Sequence, residues 1–258
     1  MILSRIIHHL KTQNWTAVAL EFVIVVAGVL LAFQVSAWNA DWQRSSATAT
    51  YYERLIEDLR IEERTMMELT VYYEEVRRNG LLALDAIHEM PDNRDTAFLT
   101  QAYQASQIRY YTPQRATYDE LLSAGIATII PDSRVRTLLA NYYVTLENAK
   151  RTHDETTPYR DHLRTRLPYA IQVLIRENCG EVFDFNEDGS MAIQLVSDCE
   201  FGAPAELVER SMASLEEYET MENDLGRHLS NIDLKLASLE AYLLSTQSTL
   251  AAMEQAQP

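Results

Sequence analysis

The sequence predicts a mainly α-helical protein: an N-terminal transmembrane helix continuing into a long-helix bundle, with one small disulfide-closed β-hairpin. Three observations carry this. Residues 17–37 are apolar but for one charge. Beyond them, apolar residues recur in alternating steps of three and four. Two short runs of strand character then flank an Asp-Gly pair between the only two cysteines. Seven glycines and seven prolines among 258 residues leave few places where a helix must stop.

The apolar run AVALEFVIVVAGVLLAFQVSA would span about 31 Å as a helix, the thickness of a bilayer's hydrocarbon core. Trp15 marks one end and Trp38 and Trp42 the other, where indoles prefer the headgroup boundary. Arg5 and Lys11 precede the run with no acid beside them, and Asp41 is the first charge after it. By the positive-inside rule, residues 1–14 form a cytoplasmic tail, residues 15–42 the transmembrane helix with its interfacial ends, and residues 43–258 an exported helical domain. A cleaved signal peptide ending at Val35-Ser36-Ala37 is the competing reading. The length of the run and the Trp-rich segment after it favour an intact span. Inside it, Glu21 is the candidate intramembrane functional residue, since carboxylates at that depth mark proton or ion paths; the alternative is a side chain that snorkels to the interface. Gly28, Ala32 and Ser36 place small side chains on one stripe, which hints at close approach of a second helix.

The formal charge of −16 belongs to the exported part, because Arg5, Lys11, Glu21 and Asp41 are the only charged residues before residue 43. Such a domain repels nucleic acid and anionic lipid surfaces. Its first helix carries Tyr52, Leu55, Leu59, Glu62, Met66, Leu69, Tyr73 and Val76 in four-three steps, with Glu62 alone breaking the apolar series. Arg77 and Arg78 before Asn79-Gly80 read as a stop or break, followed by a helical stretch, residues 81–90, and a loop at Pro91-Asp92-Asn93. Residues 95–107 form the next helix. Thr112-Pro113 supplies a capping hydroxyl and a proline at the first helical position, and that helix ends at Gly125.

Pro131-Asp132-Ser133 opens a further helix, with Val135, Leu139, Tyr142, Leu146, Ala149 and His153 on one register, a break before Pro158, and Leu163 and Leu167 beyond it. From Pro204 a helix of about 50 residues is expected, its seam built from Leu225, Leu229, Ile232, Leu236, Leu239 and Leu243, with Tyr218, Leu250 and Met253 in register. These long faces have coiled-coil character. Between Pro168 and Pro204 the period changes. Val182-Phe183-Asp184-Phe185 and Met191-Ala192-Ile193-Gln194-Leu195-Val196 flank Asn186-Glu187-Asp188-Gly189, a hairpin signal. Antiparallel pairing brings Cys179 and Cys199 together, and an exported location favours a disulfide over two buried thiols.

Chemistry is harder to find. Asp184, Asn186 and Asp188 with Gly189 match the first half of a calcium loop, but Leu195 stands where the closing carboxylate is required. His153, Asp154, Glu155, Asp161 and His162 form the densest group of metal-ligand or acid-base types, yet nine residues separate the histidines, outside the three-four spacing of a helical metal pair. Arg109-Tyr110-Tyr111 reads as packing at a helix junction. No phosphate loop, nucleophile elbow or His-Glu-x-x-His motif occurs, so no catalytic residue, cofactor or metal is assigned.

The stretch from Glu21-Phe22 through Gly28-Val29-Leu30-Leu31-Ala32-Phe33-Gln34-Val35 to Trp38-Asn39 resembles the amino-terminal span of an uncharacterised bacterial single-span membrane-protein family, a domain of unknown function. Tyr118, Leu121, Ser123-Ala124-Gly125, Ile130, Asp132, Leu138 and Tyr142-Tyr143 look like a second segment of that family. The likeness covers residues 15–145 and implies membership without implying an activity. Together with the anchor it places the chain in a bacterial inner membrane with its C-terminal domain in the periplasm. The leading expectation is a noncatalytic helical scaffold or adaptor, held by the membrane lipid bilayer and binding a second copy or another envelope protein. A ligand-sensing input domain that signals through a partner is the second reading, and an envelope hydrolase using the region of His153 to His162 the third.

Overall fold

The computed structural model describes residues 15–89, 95–125, 129–186 and 191–257. The expected cytoplasmic tail, the expected loop at Pro91-Asp92-Asn93 and Glu187, Asp188 and Gly189 of the expected hairpin turn lie outside them. The chain divides into two compact units, one reaching Tyr51 and one comprising Tyr52–Gln257.

In the first unit, helix α1 (Trp15–Glu89) begins. Its most apolar window has a mean hydropathy of 2.5 and no buried residue, so it is long and apolar enough to cross a membrane. Glu21, Gly28, Ala32 and Ser36 are all exposed on it. In aqueous solution so many uncovered apolar side chains would be unfavourable at about 25 cal/mol per Å².

The second unit holds the rest of α1, then α2 (Thr96–Ala105), α3 (Ala116–Ala124), α4 (Ser133–Asp154), α5 (Pro158–Arg166) and α6 (Tyr169–Cys179). The hairpin of β1 (Glu181–Phe185) and β2 (Met191–Leu195) follows, and α7 (Ala205–Glu216) and α8 (Met221–Ala256) close the domain. All eight seam residues expected from Tyr52 to Val76 are buried, Glu62 included. The expected stop at Asn79-Gly80 does not occur. Gly80 is itself a seam position, and a Cβ there would lie 2.7 Å from Leu229 Cδ2, so glycine serves the close approach of α8 and α1 runs on to Glu89.

Asp95 caps α2 through a carboxylate oxygen 2.8 Å from the Ala97 amide, and Asp132 caps α4 at 2.7 Å from the Arg134 amide. Gly125, at φ 87°, ends α3 in the left-handed region. Pro158 stands at the first position of α5, the break anticipated there. An unexpected helix is α6. Ile171, Ile175 and Cys179 recur every fourth residue and are wholly buried, with the Pro168 carbonyl receiving its first amides. The hairpin pairs antiparallel, Val182 opposite Gln194 and Phe183 opposite Ile193. The Cys179–Cys199 disulfide closes it with the Cα atoms 5.5 Å apart.

The single C-terminal helix expected from Pro204 is instead two. Tyr218 between them is buried, its hydroxyl donating to Asp224 at 2.8 Å, while the Arg166 guanidinium lies 4.4 Å from its ring centre. This anchoring turns the chain, so that α7 packs on α5, α6 and α2, whereas α8 packs on α4 and α5. One core joins α2, α5, α6 and α7 with Ala83 of α1 and Leu225 of α8.

The face of α8 also differs from the expected leucine seam. Leu225, Ile232 and Leu239 are buried as expected, but their partners in the buried row are His228, Lys235 and Thr249, while Leu236, Leu243 and Leu250 are half-buried. Two neighbours explain this. Leu229 meets Gly80 of α1, and Asp233, Gln247 and Glu254 bind Arg77, Glu63 and Arg60 of α1 at 2.5, 2.8 and 2.9 Å. Lys235 meets the end of α4, and His228 meets the turn after it and the Ala105 carbonyl at the end of α2.

Leu239→Ala is therefore expected to cost about 2–5 kcal/mol, the range for emptying a packed site, and Leu243→Ala distinctly less; urea titration of both variants checks the order. Reducing the disulfide is expected to remove about 3 kcal/mol, as its loop length implies, read from the same titration with and without reductant.

Candidate functional site

A polar layer crosses the interior of the second unit where α1, α4, α8 and the segment between α2 and α3 meet. It is built around Glu62. Tyr111 donates its hydroxyl to Glu62 Oε1, and the Gln114 amide donates to Oε2 at 2.8 Å. This explains why no helix starts at Thr112-Pro113. The chain there is held in non-helical form across the carboxylate, and α3 begins only at Ala116. Burial raises the Glu62 carboxyl to about 7 despite those two donors, with Asp58 adding to the rise. The Tyr111 hydroxyl is pushed far up by burial and by the Glu62 charge.

One neighbour of this centre is a tyrosine group. Tyr142 shares a hydrogen bond of 3.2 Å with Thr246 of α8, and the Tyr143 ring stacks on Tyr118 with centroids 4.0 Å apart. The Tyr143 hydroxyl and Asp58 Oδ2 are buried without a protein partner.

On its other side His153, 1% exposed, lies with its ring centre 5.8 Å from those of both Tyr73 and Tyr111. Neither ring nitrogen has a protein partner. Burial, reinforced by the Lys235 charge, lowers it to about 4, so it is neutral. Lys235, also 1% exposed, donates at 2.8 Å to the His153 carbonyl in the last turn of α4, where the helix dipole favours a cation. Its ammonium lies 5.4 Å from the Tyr73 ring centre, and burial lowers it to about 8. The Tyr73 hydroxyl donates to the Arg109 carbonyl at 2.7 Å. Arg109 Nη1, like Asp154 Oδ1, is buried without a partner.

A second buried histidine ties α8 to the far side. The Ala105 carbonyl, 2.8 Å from His228 Nε2, can only accept, so Nε2 carries the proton and Nδ1 accepts from the Thr157 hydroxyl at 2.6 Å. Burial lowers this imidazole as well, to about 4.

The group read from sequence around His153 and His162 is split. His162 is exposed, bound to Asp224 at 2.9 Å and near Tyr218, whereas His153 lies between Tyr73 and Tyr111. Among the described residues no set of three His, Cys, Asp or Glu side chains is placed to hold a metal ion. In the half calcium loop, Asp184 Oδ1 turns back to the Phe185 amide, Asn186 binds Glu68, and Leu195 is a buried strand residue. Arg109 and Tyr111 do pack at a helix junction, while Tyr110 is exposed. Lys235 and His228 have no counterpart in the expectations from sequence. Their one signal is a four-three spacing with Met221, Leu225, Ile232 and Leu239, visible only when polar residues are admitted to the seam. No protein-family model, curated protein or solved structure matches this chain.

The titrations of this layer oppose one another. Glu62, raised in the folded state, favours folding below its ordinary range, and that contribution is lost as pH rises through about 7. His153 and His228, lowered when folded, stabilise above about 6.5, and that contribution is lost as pH falls towards 4. Glu62→Gln keeps an acceptor for Tyr111 and removes the first effect. Its stability relative to the parent should improve by on the order of 3 kcal/mol between pH 5 and pH 8. Denaturant titrations at the two pH values measure this, and a parallel pair of curves would contradict it.

Proposed function

We propose that this chain is a single-pass protein of a bacterial inner membrane whose periplasmic domain acts as a noncatalytic helical scaffold or adaptor, holding a second copy or another envelope protein. It would belong to the uncharacterised single-span family that residues 15–145 resemble. The observation that carries the proposal is the contrast between its two units. The apolar side chains from Val18 to Trp42 are exposed among the described residues, and a bilayer would cover them. The unit Tyr52–Gln257 buries its own seams and has a closed disulfide, an arrangement suited to an oxidising compartment. Leu234 and Leu244, exposed on α8, and Val144, exposed on α4, offer apolar side chains outside those seams.

A ligand-sensing reading draws on a separate observation, the wholly buried His153 whose two ring nitrogens have no protein partner beside Lys235 and Tyr73. A buried polar group of that kind calls for a bridging water or a small polar ligand. In the scaffold reading the same layer serves packing specificity alone.

Topology and association are tested together. A membrane-impermeant maleimide is expected to label Ala237→Cys, an exposed position, in intact spheroplasts, and a photo-crosslinker replacing Leu234 or Leu244 is expected to join the chain to a discrete partner or to itself. Labelling only after the membrane is broken removes the periplasmic assignment. A chain that is labelled from outside but remains uncrosslinked at both positions removes the scaffold.

A further inference from the structure

On the face of the second unit formed by α2, α5 and α6, two arginines one turn apart converge on the end of α2. Arg160 Nη1 donates to the Ser106 carbonyl at 2.6 Å and to Gln107 Oε1 at 3.4 Å. Arg164 donates from Nε to Ser106 Oγ at 3.1 Å and from Nη2 to the same Gln107 Oε1 at 2.8 Å. Sharing one acceptor holds the two guanidinium groups side by side, and the Arg164 plane also lies 4.4 Å from the Tyr103 ring centre. The Gln107 oxygen is directed at them by a relay. Gln104 donates its amide to the Cys179 carbonyl, leaving its oxygen to accept from Gln107 Nε2 at 3.4 Å, which leaves the Gln107 oxygen for the arginines.

Every acceptor in this set is neutral. In a chain with 38 acids against 22 Lys and Arg residues, Arg54, Arg60, Arg77, Arg78 and Arg115 of the same unit each have a carboxylate within 3.0 Å. Arg160 and Arg164, both half-buried, have none within ion-pair distance among the described residues. The carboxylate of Glu181 accepts from the Tyr72 hydroxyl at 2.6 Å and forms no ion pair with either arginine among the described residues. The end of α2 supplies only about half a negative charge against two full positive ones. Burial first, and then the charges of Arg160 and Arg176, lower the Arg164 guanidinium from its ordinary range. Nε and Nη2 of Arg160 and Nη1 of Arg164 have no hydrogen-bond partner among the described residues, and both side chains are partly open to solvent.

We propose that Arg160 and Arg164, with Arg176 at the rim, form a binding site for a phosphate group. Two guanidinium forks offering three free nitrogens suit a tetrahedral dianion better than a single carboxylate, which one fork satisfies. The source is either free phosphate or the phosphate of a lipid headgroup.

The test uses the full chain in a maltoside detergent, titrated with inorganic phosphate at constant ionic strength and followed by calorimetry, with chloride as the blank. Saturable binding in the millimolar range or tighter is expected. Arg160→Gln and Arg164→Gln should each weaken it about ten-fold, the value of one charge-assisted contact. The exposed Arg176→Gln should weaken it by a smaller factor, and the exposed Arg227→Gln should leave it unchanged. Repeating the titration in phosphatidylglycerol vesicles separates the sources: retained binding identifies free phosphate, and binding lost there but present in detergent identifies the headgroup. Absence of binding by the unaltered chain in detergent overturns the site, whatever the variants do. So does binding that Arg164→Gln and Arg176→Gln leave unchanged.

Discussion

A carboxylate in the middle of an apolar helix seam has to be given donors, and the second unit is arranged around that requirement at Glu62. An ionised carboxyl taken out of water without partners costs several kcal/mol. The donors nearest in the fold come from the segment that leaves α2, so this segment must cross α1 at Glu62 to bring the Tyr111 hydroxyl and the Gln114 amide onto it. Three turns further along α1, the Tyr73 hydroxyl holds the same segment through the Arg109 main chain, donating to its carbonyl and receiving its amide at 3.2 Å. Two polar anchors on one seam thus lay an irregular stretch of chain along a helix. The place where α3 can begin follows from that constraint.

The α1 seam is legible in the sequence because its burial and its apolar pattern coincide, with a single exception at Glu62. The same holds for the α4 register, the helix starts at residues 95 and 131–133, the helix end at Gly125 and the cysteine-closed hairpin, each marked by a residue type with a strong local preference. On α8 the pattern and the burial part company. Leucines at 229, 236, 243 and 250 define a periodic row, but α8 meets α1 as well as α4 and α5, and its buried row contains His228, Lys235 and Thr249. Polar residues enter a seam only when partners await them, and those partners, the Ala105 and His153 carbonyls, are 123 and 82 residues away in sequence. Local periodicity carries no information at that range.

The two other departures share a cause. Gly80 looks like a helix terminator until Leu229 is known to lie against it. Residues 217–220 contain neither glycine nor proline, yet the helix breaks because Tyr218 is drawn to Asp224 and Arg166. Tertiary contacts override backbone propensity at both points. The α6 helix is a different case: its four-residue spacing of Ile171, Ile175 and Cys179 is present in the sequence but lies between two prolines beside a stronger strand signal.

Ten of the fourteen tyrosines are buried, and their hydroxyls explain how so polar an interior selects one packing. A leucine seam tolerates sliding by a turn, since any apolar neighbour serves. Here Tyr72 reaches Glu181 of β1, Tyr73 the Arg109 carbonyl, Tyr142 Thr246 of α8, and Tyr159 the Ala102 carbonyl of α2 at 3.0 Å. Each bond joins a different pair of segments, and a shift of any helix by one turn would strand a hydroxyl away from water, at a cost of about 1–3 kcal/mol for each bond lost. The rings supply the buried area and the hydroxyls supply the register. This division of labour leaves the leucine row of α8 free to be only partly covered, because the alignment of the bundle does not depend on it.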